Sequence, residues 1–178
     1  MIDRCLNEDS EAQFELYRLY YKSMYNTSLR IIAERADAED IMQESFLTAF
    51  RKLKTYNGEV SFGSWLKKIV INRSLDYLRK RKTVFEEITP NLPVLEEEPE
   101  ENENFSIEEI KAAIFSLPDG YRTVLSLILL EGYDHEEVAQ ILGVRNVSSR
   151  TQFFRAKQRL KEVLLEKRID KLKIENYG

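Results

Sequence analysis

Arg150, Thr151, Phe154 and Arg155 stand in a 17-residue window, Arg145 to Lys161, that carries six cations and no acid. At a period of 3.6 residues Phe154 shares one side of a helix with Thr151, Arg155 and Gln158, while Phe153, Ala156, Leu160, Val163 and Leu164 fall on the other and pack inward. The chemistry this set can do is recognition of duplex DNA. A guanidinium grips guanine edges in the major groove, threonine or phenylalanine contacts a thymine methyl, and neighbouring cations such as Lys157 bind phosphate. A phenylalanine without apolar neighbours on its own face is poorly explained as core. The alternative is that Phe154 packs against another domain.

Such a helix needs a partner to present it, and the preceding segment supplies one. In GYDHEEVAQILGV, Asp134 caps a first turn, Glu137 reaches back as the second half of a capping box, and Gly143 closes the helix on its left-handed side. Val138, Ile141 and Leu142 form its buried stripe. A short capped helix, a glycine turn and a basic helix make a helix-turn-helix signature. Upstream, Ile107, Ile110 and Ile114 predict a helix from Ile107 to Phe115. Leu117-Pro118-Asp119-Gly120 should end it, with the glycine in a left-handed turn, and Tyr121 to Leu130 should form the next helix.

A second basic stretch lies in the other half of the chain. SFGSWLKKIVINRSLDYLRKRK, Ser61 to Lys82, sits within Arg51 to Lys82, where ten cations face only Glu59 and Asp76. Phe62, Leu66, Ile69 and Val70 form one apolar stripe, and Ile71, Leu75 and Leu78 another. Trp65 lies beside Ile69 and reads as core support. Before this stretch, RADAEDIMQESFLTAFRKL turns Ile41, Phe46, Leu47 and Phe50 inward and leaves Asp37, Glu39, Asp40, Gln43 and Glu44 outward. An earlier amphipathic helix gathers Phe14, Leu16, Tyr17, Leu19, Tyr20, Tyr21, Met24 and Tyr25 as core.

The net charge of −4 conceals this pattern. Residues 1–82 carry 15 basic and 12 acidic side chains, residues 83–110 carry none and 10, and residues 111–178 carry 12 and 9. The acidity resides in TVFEEITPNLPVLEEEPEENENF, whose prolines and clustered glutamates predict a solvated linker. The expected organisation is a helical domain over 1–82, an acidic linker over 83–105 and a second helical domain over 106–178. With 43% hydrophobic and 33% charged residues but only six glycines and four prolines, the chain should be all-α. Charge alone fits either solvated helix faces or a polyanion touched at two places.

Other function classes find little support. No paired Cys or His ligands, phosphate-cradling glycine loop or nucleophile elbow occurs, so no enzymatic activity, cofactor, metal or small-molecule substrate is expected. Cys5 is alone near a terminus expected to fray, and His135 should be solvent-exposed in the first turn of its helix. Acids occupy the start, where a secretory signal would be basic and then apolar. The most apolar run, VLSLILL, is far shorter than the roughly 20 residues a membrane span requires. A cytoplasmic protein is expected.

Taken in order, DAEDIMQESFLTAF, the basic stretch, the acidic linker, LPDGYRTVLSLILLEGYDHEEVAQILGV and RAKQRLKEVL resemble the extracytoplasmic-function (ECF) sigma factors of bacterial RNA polymerase, two-domain members of the sigma-70 family. The resemblance spans about Phe14 to Leu165. It implies region 2 over 1–82 and region 4 over 106–178, joined by the linker. The function it implies is to bind core polymerase, direct it to specific promoters and promote DNA melting. Asp37, Asp40, Gln43 and Glu44 then correspond to the helix that grips the coiled coil of the polymerase's largest subunit; the flap is a further implied contact. The loop Tyr56 to Phe62, with Asn57 and Ser61, corresponds to the element that captures a flipped minus-10 base. Asn72 and Arg73 lie beside the single strand, and Arg79 and Lys80, continuing to Lys82, on its backbone. Ser148, Ser149, Arg150, Thr151, Phe154, Arg155 and Lys157 correspond to minus-35 contacts. An anti-sigma factor is an implied partner. The chain departs from the family where Arg145-Asn146 replaces the usual helix cap, leaving Asn146 or Ser148 to satisfy free amides, and where Gln152 replaces a common arginine and alters the donor pattern.

Overall fold

A computed structural model describes residues 1–81 and 105–177, with side chains to residue 170. The acidic linker expected over 83–105 lies outside the described residues except for Phe105, as does Lys82. The described residues are helical with no strand, and the chain divides into two compact units, Met1–Lys82 and Thr83–Gly178.

The first unit packs three long helices, α2 (Ser10–Ile32), α3 (Arg35–Lys52) and α4 (Phe62–Lys80), with a short α1 (Ile2–Leu6) against them. Each start is chemically specified. Asp9 caps α2 by accepting from the Glu11 and Ala12 amides at 3.0 and 3.1 Å, and Arg4 Nε holds its other oxygen at 2.7 Å. Those bonds draw the Asp9 carboxyl below its ordinary pKa, Arg4 first among the causes. Glu34 caps α3 through the Asp37 amide at 2.7 Å, and Ser61 caps α4 through the Ser64 amide at 3.2 Å. Leu16, Met24, Phe46, Leu53, Leu66 and Val70 are buried in the centre. The Ser28 and Ser74 hydroxyls meet at 3.3 Å in the interior where α2 and α4 approach.

Several apolar residues expected inside are not. Phe14, Leu19 and Leu47 are 60%, 64% and 57% exposed. On α3 the inner arc is Ala38, Ile41, Met42, Ser45, Phe46 and Ala49, and Leu47 projects from nearly the opposite side. On α2 the buried arc runs through Ala12, Leu16, Thr27 and Ile31, with Leu19 beyond its edge and Phe14 further still. Small residues such as Ala38, Ser45 and Ala49 share the inner face with Ile41, Met42 and Phe46. Cys5 also differs from expectation: α1 folds onto the core, leaving it 3% exposed, and burial pushes its thiol pKa up.

The second unit comprises α5 (Ile107–Ser116), α6 (Asp119–Leu125) continuing into a π-helical segment (Ser126–Leu130), α7 (His135–Leu142) and α8 (Asn146–Tyr177). Ser106 and Glu109 form a capping box on α5. Ile107, one residue inside that box, is 65% exposed; the buried stripe begins with the partly buried Ile110 and continues through Ala113 and Ile114. Gly120 is no left-handed turn. Pro118 stands at the cap of α6, and Gly120 is buried within its first turn. Arg122 is 5% exposed, its charge satisfied by the Leu117 carbonyl at 2.7 Å and the Asp119 carboxylate. Beyond the helix-turn-helix, α8 packs back on α5: Lys167 Nζ donates to Ser116 Oγ at 3.2 Å, and the Arg168 guanidinium lies over the Phe105 ring at 5.8 Å.

Candidate nucleic-acid and protein interfaces

In the first unit, α3 and α4 run antiparallel and enclose a groove of about 690 Å³. One wall carries Asp37, Asp40 and Glu44, the other Asn72, Arg73 and Lys80. The two residue sets that the resemblance assigns to different partners therefore face each other. Asp40, Gln43 and Glu44 are exposed on α3, with Gln43 Nε2 donating to Glu39 at 3.4 Å. Asp37 is half-buried, accepting from the Tyr77 hydroxyl, and Arg81 Nη1 lies 3.5 Å from the same carboxylate. The hydrogen bond to Asp37, followed by partial burial, raises the Tyr77 pKa.

On α4, Asn72, Arg79 and Lys80 are exposed, and Arg79 pairs with Asp76 at 3.0 Å. Arg73 is already engaged across the groove, donating to the Glu44 carboxylate and to Thr48 Oγ1. Thr48 and Tyr77 thus belong to this surface, although no sequence feature had singled them out. Their partners lie on the facing helix, and only the α3–α4 pairing brings them together.

The loop before α4 has a defined shape. Tyr56 donates its hydroxyl to the Val60 carbonyl at 2.7 Å, the Asn57 side chain accepts from the Glu59 amide at 3.2 Å, and Gly58 takes φ +77°. Asn57 and Ser61 are exposed and Tyr56 half-buried. Phe62 differs from its expected role, being only 7% exposed. Its ring centroid lies 5.5 to 5.7 Å from those of Tyr20, Tyr56 and Trp65, so it braces the loop from beneath and cannot stack on an unpaired base. Trp65 belongs to the same cluster, as its stripe implied.

In the second unit α7 presents α8 as expected. Asp134 and Glu137 form the capping box, and Gly143 ends α7 at φ +71°. α8 starts at Asn146, and the Ser149 amide donates to the Arg145 carbonyl at 3.0 Å. Arg150 and Lys157 are exposed; Ser148, Thr151, Phe154 and Arg155 are half-exposed. Ser149 is fully buried, with no hydrogen-bond partner for its hydroxyl, which removes it from any DNA-facing surface. It sits on the helix side of Phe153 and Ala156. Gln152 likewise has its side-chain oxygen buried and unpaired, so it offers no full amide to a groove. His135, expected in solvent, packs edge-on against Phe153 at 5.3 Å with Nδ1 buried. Val147, 75% exposed, is a missed member of the outer face: with Arg150, Thr151 and Phe154 it completes an i, i+3, i+4, i+7 stripe.

Residues 16–84 match the family model described as Sigma-70 region 2, and residues 107–160 match Sigma-70, region 4. The chain is 31% identical over 156 residues to the ECF RNA polymerase sigma factor SigE of Mycolicibacterium smegmatis, covering 84% of this chain and 60% of that protein's length. It is 29% identical to the ECF RNA polymerase sigma-E factor of Haemophilus influenzae, covering 89% and 90%, and 27% identical to SigM of Bacillus subtilis, covering 83% and 91%. Among solved structures, the sigma factor RpoE of Bartonella quintana, crystallised with the anti-sigma factor NepR, shares the fold at a TM-score of 0.58 and 21% identity, covering 84% of this chain and 94% of that one. CnrH, in complex with the cytosolic domain of CnrY, does so at 0.55 and 17%, covering 92% and 94%. Among the described residues no helix is long and apolar enough to cross a membrane.

Proposed function

This chain belongs to the sigma-70 family, in its ECF group, and from that premise we propose that it is a dissociable initiation subunit that binds core RNA polymerase, directs it to specific promoters and promotes strand opening. The observation that carries the reading is the α3–α4 groove, where Asp37, Asp40 and Glu44 on one helix stand opposite Asn72, Arg73 and Lys80 on the next. A single unit with that arrangement can hold a protein partner on one side and a polyanion on the other.

In this reading Asp40, Gln43 and Glu44 meet the coiled coil of the polymerase's largest subunit, with Asp37 fixing the start of that helix. The flap is the contact for the second unit. Asn57 and Ser61, on the loop braced by Tyr56 and Phe62, line the place of an unstacked minus-10 base, where stacking and hydrogen bonding offset the cost of unpairing. Asn72, Arg79 and Lys80 follow the single strand's backbone. In the second unit Arg150, Thr151, Phe154 and Arg155, joined by Val147, enter a major groove, while Lys157 binds phosphate. An anti-sigma protein is the proposed regulator, and the cytoplasm the proposed compartment. The region 2 and region 4 boundaries of 1–82 and 106–178 carry these roles.

The test is in vitro transcription with purified bacterial core polymerase and fragments of the source genome, mapping start sites. Discrete start sites that require both proteins support the reading. A chain that ignores core enzyme and protects a duplex operator unaided refutes it, and would instead be a helix-turn-helix repressor or activator.

A further inference from the structure

Partway along the groove a cation ties its two walls together. Arg73, on α4, donates through Nη1 to the Glu44 carboxylate and through Nε and Nη2 to Thr48 Oγ1, at 3.1 and 2.7 Å. Thr48 in turn gives its own hydroxyl hydrogen to the Glu44 backbone carbonyl at 2.9 Å, so its lone pairs are left for the guanidinium. Three of the five guanidinium donors are thereby aimed at α3, away from any strand lying on α4.

Resting on the reading that α3 meets polymerase and α4 meets DNA, we propose that Thr48 is a positioning residue which, with Glu44, holds Arg73 off the DNA phosphates until a polymerase cation takes the Glu44 carboxylate. Arg73 and Glu44 are 35% and 62% exposed, so the pair is open to exchange with external charges. An exposed pair of this kind shifts an equilibrium by at most roughly fivefold, which sets the size of the effect. Because coupling is reciprocal, DNA that captures Arg73 strengthens polymerase binding by the same factor. The device favours promoter contact on the polymerase over contact by the free chain.

Anisotropy of a fluorescein-labelled random-sequence single-stranded oligodeoxynucleotide tests this with the full chain, first alone and then with core enzyme, core enzyme by itself serving as reference. Alone, Thr48→Val and Glu44→Gln should each bind about two- to fivefold tighter than wild type, with a salt slope steeper by about 0.7, the value for one added single-strand phosphate. Thr48→Ser, which keeps the acceptor, should match wild type, and adding Arg73→Ala should abolish each gain. On core enzyme, wild type and Thr48→Val should bind equally. Gains that are missing, or that survive Arg73→Ala, overturn the proposal, as does a Thr48→Val advantage that persists on core enzyme. If Thr48→Val fails to fold by circular dichroism, Glu44→Gln decides alone. Failure of wild type to bind core enzyme refutes the initiation reading, whereas failure of the polymerase-free gain refutes only the Arg73 latch.

Discussion

Tyr77, near the end of α4, donates its phenolic hydroxyl to the carboxylate of Asp37 in the first turn of α3, and Arg81 closes over both, its guanidinium 5.6 Å from the Tyr77 ring centroid. The contact pins the two walls of the groove at one end, as Arg73 does further along.

Removing that hydroxyl with Tyr77→Phe should lower stability by about 1 kcal/mol, the usual net worth of such a bond. For a unit of this size the melting temperature should fall by roughly 4–8 °C. The raised Tyr77 pKa gives the contact a pH signature. A phenol whose pKa is higher in the folded state contributes its full stability below its unfolded value of about 10 and loses it as pH rises through the folded value. The gap between wild type and Tyr77→Phe should therefore be constant up to about pH 10 and narrow above it. Thermal melts from pH 7 to 11 check this, and a gap that widens with alkali contradicts the assigned bond.

Gly63, at the second position of α4, has no room for a side chain. A Cβ there would meet Tyr20 Cε1 at 2.8 Å, and that ring is itself packed on Phe62. Gly63→Ala gains about 1 kcal/mol of helix propensity but incurs an overpacking cost of roughly 1–3 kcal/mol, so a net loss near 1 kcal/mol is expected. Trp65, the chain's single tryptophan, lies in the same aromatic cluster, and its emission should shift in the variant. Denaturant melts followed by that emission read both effects.

Ala33 closes α2 at φ +59°, a left-handed position that favours glycine. Ala33→Gly should raise stability by about 1 kcal/mol by relieving the Cβ clash, with no change in the helices on either side. A melting temperature that falls would show that the turn tolerates its alanine without strain.

How much of this was legible follows the range of each interaction. The capping box of Asp134 and Glu137 and the closing Gly143 are local, so spacing alone found them. Most of the outer face of α8 was legible for the same reason, although Ser149 was wrongly assigned to it and Val147 was missed. Leu47 was misread because apolar character was weighed above helical phase, Ile107 because a residue in phase with the stripe stands in the capped first turn, beyond the core, and Gly120 because a proline that starts a helix was read as one that stops it. The engagement of Arg73 could not be read at all: its partners lie 25 and 29 residues away, and only the antiparallel packing of α3 on α4 brings them within reach. The burial of Phe62 was implied by its stripe with Leu66 and Val70, whereas its contact with Tyr20, from another helix, was not.

Ser149 and Arg150 are adjacent on α8 yet should behave oppositely. Ser149 is buried with an unpaired hydroxyl, so Ser149→Ala removes an unsatisfied polar group and should raise stability by about 1 kcal/mol while promoter selection stays as it was. Arg150 projects from the exposed face, where loss of a bidentate base contact costs about 1–3 kcal/mol. Arg150→Ala should thus weaken promoter-directed initiation by roughly five- to 150-fold and relax sequence preference at one upstream position, with core-polymerase affinity and melting temperature near wild type. Transcription from a promoter library, run beside a core-binding assay, separates the two residues. Loss of promoter selection in Ser149→Ala, or loss of core affinity in Arg150→Ala, would mean that the orientation of α8 toward DNA differs from the one argued for its outer face.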